Sequence, residues 1–303
     1  MSGLERVRNE ARDLLELVLV PGLAAILPWG LCFRIFRFLS RFDLLYRQDC
    51  SEAIRNAEAL GWIRGDRTRW IQTRRLVTLI DHADFYLSRT RSNRWIARHM
   101  AVSGEWPAPS VAAVLCTFHW GAGMWGLRHA RAKAMRAHAI VAPQERGNFP
   151  GQTIKFLYCR ARVRAVATAL QTDPIEPSHS PRRILETLRG DEQILAAIDV
   201  PADQVAASES IAIVGLPARV PRGLLRVAAD WQIPVTVFLT GIQMTDGKRT
   251  LRIHQVGCRK DVEALMIEVF AYLEQAIESD PAAWHFWSVA PRFFDLSRQE
   301  AAA

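Results

Sequence analysis

His119 follows directly on the apolar run VAAVLCTF at 111–118 and opens the turn HWGAG, so an imidazole sits where a buried-type strand gives way to glycine-loosened chain. Open α/β sheets gather their ligands at the carboxyl ends of strands. A histidine there, with an ordinary pKa of about 6.5, is a candidate general base. The other histidines, His82, His99, His129, His138, His179, His254 and His285, show no spacing that joins two of them to a carboxylate on one helix face, so no metal site is expected. Ser103, Ser178 and Ser288 lack the G-x-S-x-G context of a serine-hydrolase elbow. Cys32, Cys50, Cys116, Cys159 and Cys258 are odd in number, scattered and free of any CxxC pair, which reads as reduced, mostly buried thiols in a cytoplasmic compartment.

The elements that must position His119 alternate in type. Helices are expected at Ser51–Leu60 and Asp66–Thr90, with Ser51 and Asp66 as N-caps, before a loop at Gly104–Ser110 that carries Pro107 and Pro109. Beyond it, strands at 111–118, 138–142, 163–167, 193–199, 210–215 and 235–241 are separated by helices at 121–136, 152–160, Pro181 to Gly190 with Ser180 as N-cap, and 223–231. A strand at 250–257 returns antiparallel across the Asp246–Gly247 turn, and a long helix closes the pattern at 261–278. Continuous apolar strands between helices predict an α/β fold with a mixed, mostly parallel sheet flanked by helices. The expected organisation is an N-terminal membrane-associating helical segment at 1–45 and an α/β domain at 46–303, helical over 46–110 and with its α/β core at 111–303.

The chain has 303 residues, 50% of them hydrophobic and 23% charged, enough to bury a sizeable core. Its net charge of +8 calls for something negative nearby, and no nucleic-acid-binding signature accompanies the scattered arginines, so lipid and an acidic carrier protein rank above nucleic acid. Between Glu16 and Arg34 lie 17 uncharged residues interrupted by Pro21 and Pro28, too short and broken for a straight span. Arg6, Arg8 and Arg12 precede this stretch; Arg34, Arg37 and Arg41 follow, interleaved with Phe33, Phe36, Phe38 and Phe42. That pattern fits a retained segment dipping into one leaflet, which the flanking charge favours over a helical hairpin covering the domain's own core.

Four blocks together resemble the lysophospholipid acyltransferases, and among them the late acyltransferases of lipid A biosynthesis, over about residues 15 to 293. They are VLCTFHWGAGMWGL at 114–127, RRILETLRGDEQILAAIDV at 182–200, VGLPARVPRGLLRVAADWQIPVTVFLT at 214–240 and PAAWHFWSVAPRFF at 281–294. The resemblance implies transfer of an acyl group from a thioester, on acyl carrier protein or coenzyme A, to a lipid-like acceptor at the cytoplasmic face of a bacterial inner membrane, with no bound cofactor.

In that family an HxxxxD/E motif pairs the histidine with a carboxylate. His119 matches the histidine, but Met124 stands at the acid's position, and a thioether cannot orient an imidazole. Three readings follow: another acid replaces it, Asp199 first and Glu145 or Asp203 after; His119 works unaided on a reactive amine or phenol; or the chemistry is lost and the protein binds acyl chains or a partner. The resemblance further implies Arg146 beside the oxyanion, Arg219 and Arg222 on a phosphate, and Trp120, Gly121 and Met124 at the substrate. Trp284 and Trp287 suit a membrane interface or a core alike.

Overall fold

The computed structural model describes residues 3–63, 65–176 and 181–294. Among the described residues there are eight strands: β1 Met100–Ser103, β2 Ala113–Thr117, β3 Ala137–Ala139, β4 Gln193–Ala197, β5 Ser208–Ile213, β6 Leu216–Pro221, β7 Val235–Ile242 and β8 Arg249–Gly257. Six of them form one sheet in the order β1-β8-β7-β2-β4-β3, while β5 and β6 make a separate antiparallel hairpin. Strands β7, β2, β4 and β3 run parallel, and β8 turns back on β7 so that it and β1 run the other way. The expected α/β class with a mixed, mostly parallel sheet is what this arrangement is.

Strand β2 lies at the centre of the sheet and is apolar on both faces because both are covered. Val114 and Cys116 point into one core with α10 (Gly223–Asp230), α11 (Val262–Ser279) and the tryptophan-rich close. Ala113 and Leu115 point into a second core, shared with α5 (Arg67–Thr90), α7 (Met124–Ala132) and α8 (Thr153–Leu170). The N-terminal segment belongs to this second core. Helix α1 (Gly3–Asp13) runs through a π-helical stretch, Leu14–Leu19, into α2 (Val20–Ile26), and α3 (Trp29–Leu39) buries Trp29, Phe33 and Phe36. Among the described residues no helix is long and apolar enough to cross a membrane.

Several boundaries differ from expectation for physical reasons. Residues 152–170 are one helix, α8, with no strand at 163–167: ARVRAVATA alternates by chance, and its alanines and arginines are good helix formers. Helix α4 (Arg47–Ala59) begins four residues before Ser51, which is therefore no cap, whereas Asp66 does cap α5 by accepting from the Thr68 amide. The 216–221 segment, which falls between the expected strand at 210–215 and the expected helix at 223–231, is β6, because Val214 and Gly215 themselves make the tight turn of its hairpin. Short α6 (Asn93–Arg98) and β1 had no counterpart in the expected pattern. Helix α9 (Pro181–Arg189) ends as expected at Gly190, while its expected cap Ser180, like Ser178 and His179, lies outside the described residues.

Candidate active site

Register explains how His119 meets Asp199. Thr117 and Ala197 are paired partners on parallel β2 and β4, and the Ile198 amide bonds the Thr117 carbonyl just beyond them. Residues two positions further along each strand therefore emerge side by side. His119 Nδ1 lies 2.9 Å from Asp199 Oδ1, and the His119 backbone amide donates to both carboxylate oxygens, at 3.0 and 2.9 Å. The Trp284 indole donates to Oδ2 from 3.0 Å.

A carboxylate surrounded by N–H donors acts as acceptor, which makes Nδ1 the protonated nitrogen and leaves the Nε2 lone pair outward. Exposure separates the two roles: the Asp199 side chain is 1% exposed and that of His119 39%. The dyad is thus fixed at its base and open at its tip. Phe286 stacks on the imidazole with centroids 4.2 Å apart, and the His285 amide donates to the His119 carbonyl at 2.7 Å.

The turn after His119 is held as firmly. Gly121 adopts φ +68°, and a Cβ there would press into the Thr240 carbonyl, so only glycine fits. Its amide bonds the Ala283 carbonyl, and its own carbonyl accepts from His285 Nε2 at 2.7 Å. Met124, 4% exposed, begins α7 behind this turn; Gly123, the N-cap, offers no side-chain cap to that helix.

His119, Trp120, Gly121, Gly123 and Met124 line a cavity of about 800 Å³, within the range of ligand pockets. Its apolar wall includes Leu17, Leu127, Ile140, Val166, Leu195 and Phe238. Its polar wall comes from α5 and α8, joined by Arg12, Asp13 and Glu16 of the N-terminal segment and by Asp49 and Glu52 of α4. Arg162 pairs with Asp81 at 2.7 Å, and His82 Nδ1 accepts from the Tyr158 hydroxyl at 2.7 Å. Burial, with Arg162 alongside, pushes His82 down to about 3 and keeps it neutral. Burial works against ionisation of Asp81, but Arg162 outweighs it and holds the carboxyl below the usual range.

Arg74, 1% exposed, braces the site from behind by donating to the carbonyls of Trp284 and His285, at 2.8 and 2.9 Å, while pairing with Asp49. These α5 residues escaped the sequence reading, although Arg74, Thr78, Asp81 and His82 recur at i, i+4, i+7 and i+8. Polar residues on one stripe of a helix otherwise rich in apolar residues were the available signal.

Three arginines stand elsewhere. Arg146 bonds Thr153 Oγ1 and lies over the Phe156 ring, outside the residues that line the cavity. Arg219 bonds Ser208 and Arg222 pairs with Glu209, both across the β5–β6 hairpin. Local partners satisfy all three. Asp203 pairs with Arg292, and neither it nor Glu145 lines the cavity. Trp284 and Trp287 are buried in the core. All five cysteines are free, Cys258 exposed and Cys32, Cys50 and Cys116 buried. No group of residues suited to a metal occurs among the described residues. No protein-family model matches the chain, and no curated protein matches it.

Proposed function

We propose that the protein is an acyltransferase that moves an acyl group from a thioester, on acyl carrier protein or coenzyme A, to a hydroxyl or amine of a lipid-like acceptor. The observation that carries this reading is the 2.9 Å contact between a buried carboxylate and a histidine whose other nitrogen opens onto a mixed apolar and polar cavity. Asp199 thereby takes the part that Met124 cannot. His119 Nε2 removes the acceptor's proton as its oxygen or nitrogen attacks the thioester carbonyl carbon. The C–S bond then breaks, and the departing sulfur takes the proton back from the imidazolium.

Negative charge that develops on the carbonyl oxygen needs donors. The first-turn amides of α7, which starts at the cavity wall without a side-chain cap, supply them in this reading, in place of Arg146. The apolar wall accepts the alkyl tail.

Membrane contact is part of the proposal. Leu4, Val7, Leu14, Leu19, Ile26, Leu31, Phe38, Phe42 and Leu44 are large, apolar and exposed, all within the N-terminal segment. With Arg34, Arg37 and Arg41 among them, they suit the anionic cytoplasmic face of a bacterial inner membrane. The test is transfer from labelled acyl carrier protein and acyl-coenzyme A to a panel of hydroxyl and amine lipids. His119→Ala abolishes transfer and Asp199→Asn lowers kcat by about four orders of magnitude, as loss of an orienting carboxylate does elsewhere. Transfer unchanged by His119→Ala overturns the mechanism.

A further inference from the structure

A second concavity, of about 570 Å³, lies between the end of α5, α7 and α8, away from the His119 cavity. Its lining includes Arg89, Arg128, Arg131 and Arg164 and no acidic residue. Four positive charges around one hollow amount to half of the chain's net +8. Like charges so gathered repel, which an unliganded surface gains nothing from arranging.

The hollow has a built floor. Ala161, Ala165 and Ala169 recur every fourth residue along α8, so that face has no bulk, and Thr168 borders it. The neighbouring face of α8, with Tyr158, Arg162 and Val166, looks into the His119 cavity. One helix thus separates two sites of different character.

Arg128 is pinned in place. One terminal nitrogen donates to the carbonyls of Ser88 and Arg91, at 2.7 and 2.8 Å, and the other to Asn93 Oδ1. Burial lowers its pKa. Arg131 is held by Gln171 Oε1 at 2.8 Å, and Arg89 lies 5.2 Å from the centroid of Phe85. Neutral partners therefore orient guanidinium groups whose charge stays uncompensated. Forked, weakly hydrated guanidinium groups match the oxygens of carboxylate and phosphate alike, and four of them around one hollow suit an anion that carries two charges on one small group, as a phosphate does.

We propose that this hollow is a binding site for a phosphate dianion, borne either by a soluble phosphate ester or by a phospholipid headgroup, and independent of the His119 chemistry. The experiment compares the wild-type protein with the Arg131→Gln/Arg164→Gln double variant, leaving Arg128 as a structural clamp; matching thermal melts establish that the variant is folded. Calorimetry with inorganic pyrophosphate forms one arm. Co-sedimentation with phosphatidylcholine vesicles, with and without phosphatidic acid, forms the other.

At least tenfold weaker pyrophosphate binding by the variant is the expected result and assigns a soluble phosphate. A loss confined to the phosphatidic-acid vesicles also supports the site and assigns a headgroup. Wild-type protein that binds neither probe, or a variant that binds both as wild type does, overturns the proposal. Retention of acyl carrier protein without any phosphate binding overturns it as well, because the surface then serves a protein.

Discussion

Asp199 owes its place to groups far apart in the chain, since its partners His119 and Trp284 lie 80 and 85 residues away. Trp284→Phe keeps an aromatic ring in the core but removes one N–H from the carboxylate. Loss of one hydrogen bond to a charged group is worth about 1.5 kcal/mol, so kcat is expected to fall about tenfold in the transfer assay with KM little changed. Met124→Glu places a second carboxylate in a 4% exposed position already served by Asp199. A buried, unpaired charge costs stability, so both activity and melting temperature are expected to drop rather than recover. At this scale His119 was legible because strand, histidine and glycines are contiguous, and Asp199 because it matches the aspartate that ends a strand block in the family the chain resembles. Trp284 and Arg74 were not, since their contacts join segments that no local pattern relates. Arg146, Arg219 and Arg222 stand with local partners outside the cavity lining, because charge type was visible in the sequence and local pairing was not.

Helix α8 shows what elements add. It carries no side-chain cap of its own, and Glu10 of α1 supplies one from outside, accepting from the amides of Thr153 and Ile154 at 2.6 and 2.8 Å. The bond from Ile154 above all, with that from Thr153, holds the Glu10 carboxyl below its usual range. Glu10→Ala is expected to lower the melting temperature by about 2 °C and to speed hydrogen exchange at Thr153 and Ile154 before the rest of α8. The helical nature of 153–170 was partly hidden because arginines and apolar residues alternate there, which mimics a strand. Periodicity served best where an element is buried on both faces, as in β2, β4 and β7, and where a cap is explicit, as at Asp66. It failed at β6, whose identity depends on pairing with β5.

Across the whole molecule, buried histidines weaken the fold in acid, and Asp84, which burial raises to about 6, opposes them. His82 is pushed down to about 3 from 6.5, so between those values the unfolded chain binds a proton that the folded protein refuses. Stability is therefore expected to fall as pH drops from about 6.5 towards 3, and burial lowers His285 in the same sense. Urea midpoints at pH 7 and pH 5 measure this, and His82→Asn, which preserves an acceptor for Tyr158, is expected to flatten the slope. The exposed apolar residues of the first 44 make a second expectation. Ile26→Ser, Phe38→Ser and Phe42→Ser together reduce binding to anionic vesicles severalfold with little change in the thermal melt, because these side chains are outside the core. The sequence announced this surface through its interleaved arginines and phenylalanines. Burial of Trp29, Phe33 and Phe36 against α5 could not be read from it, because hairpin and leaflet-dipping segment share one composition.

The tryptophan that steadies Asp199 also sets a clock. Translation delivers residue 119 and then residue 199 well before residue 284, so a nascent chain holds base and acid while the indole that fixes their geometry is still unmade. Chemistry then waits for the last part of the fold to close, whereas the greasy N-terminal surface has long since left the ribosome. On the proposed function, the protein can reach a bilayer before it can act there.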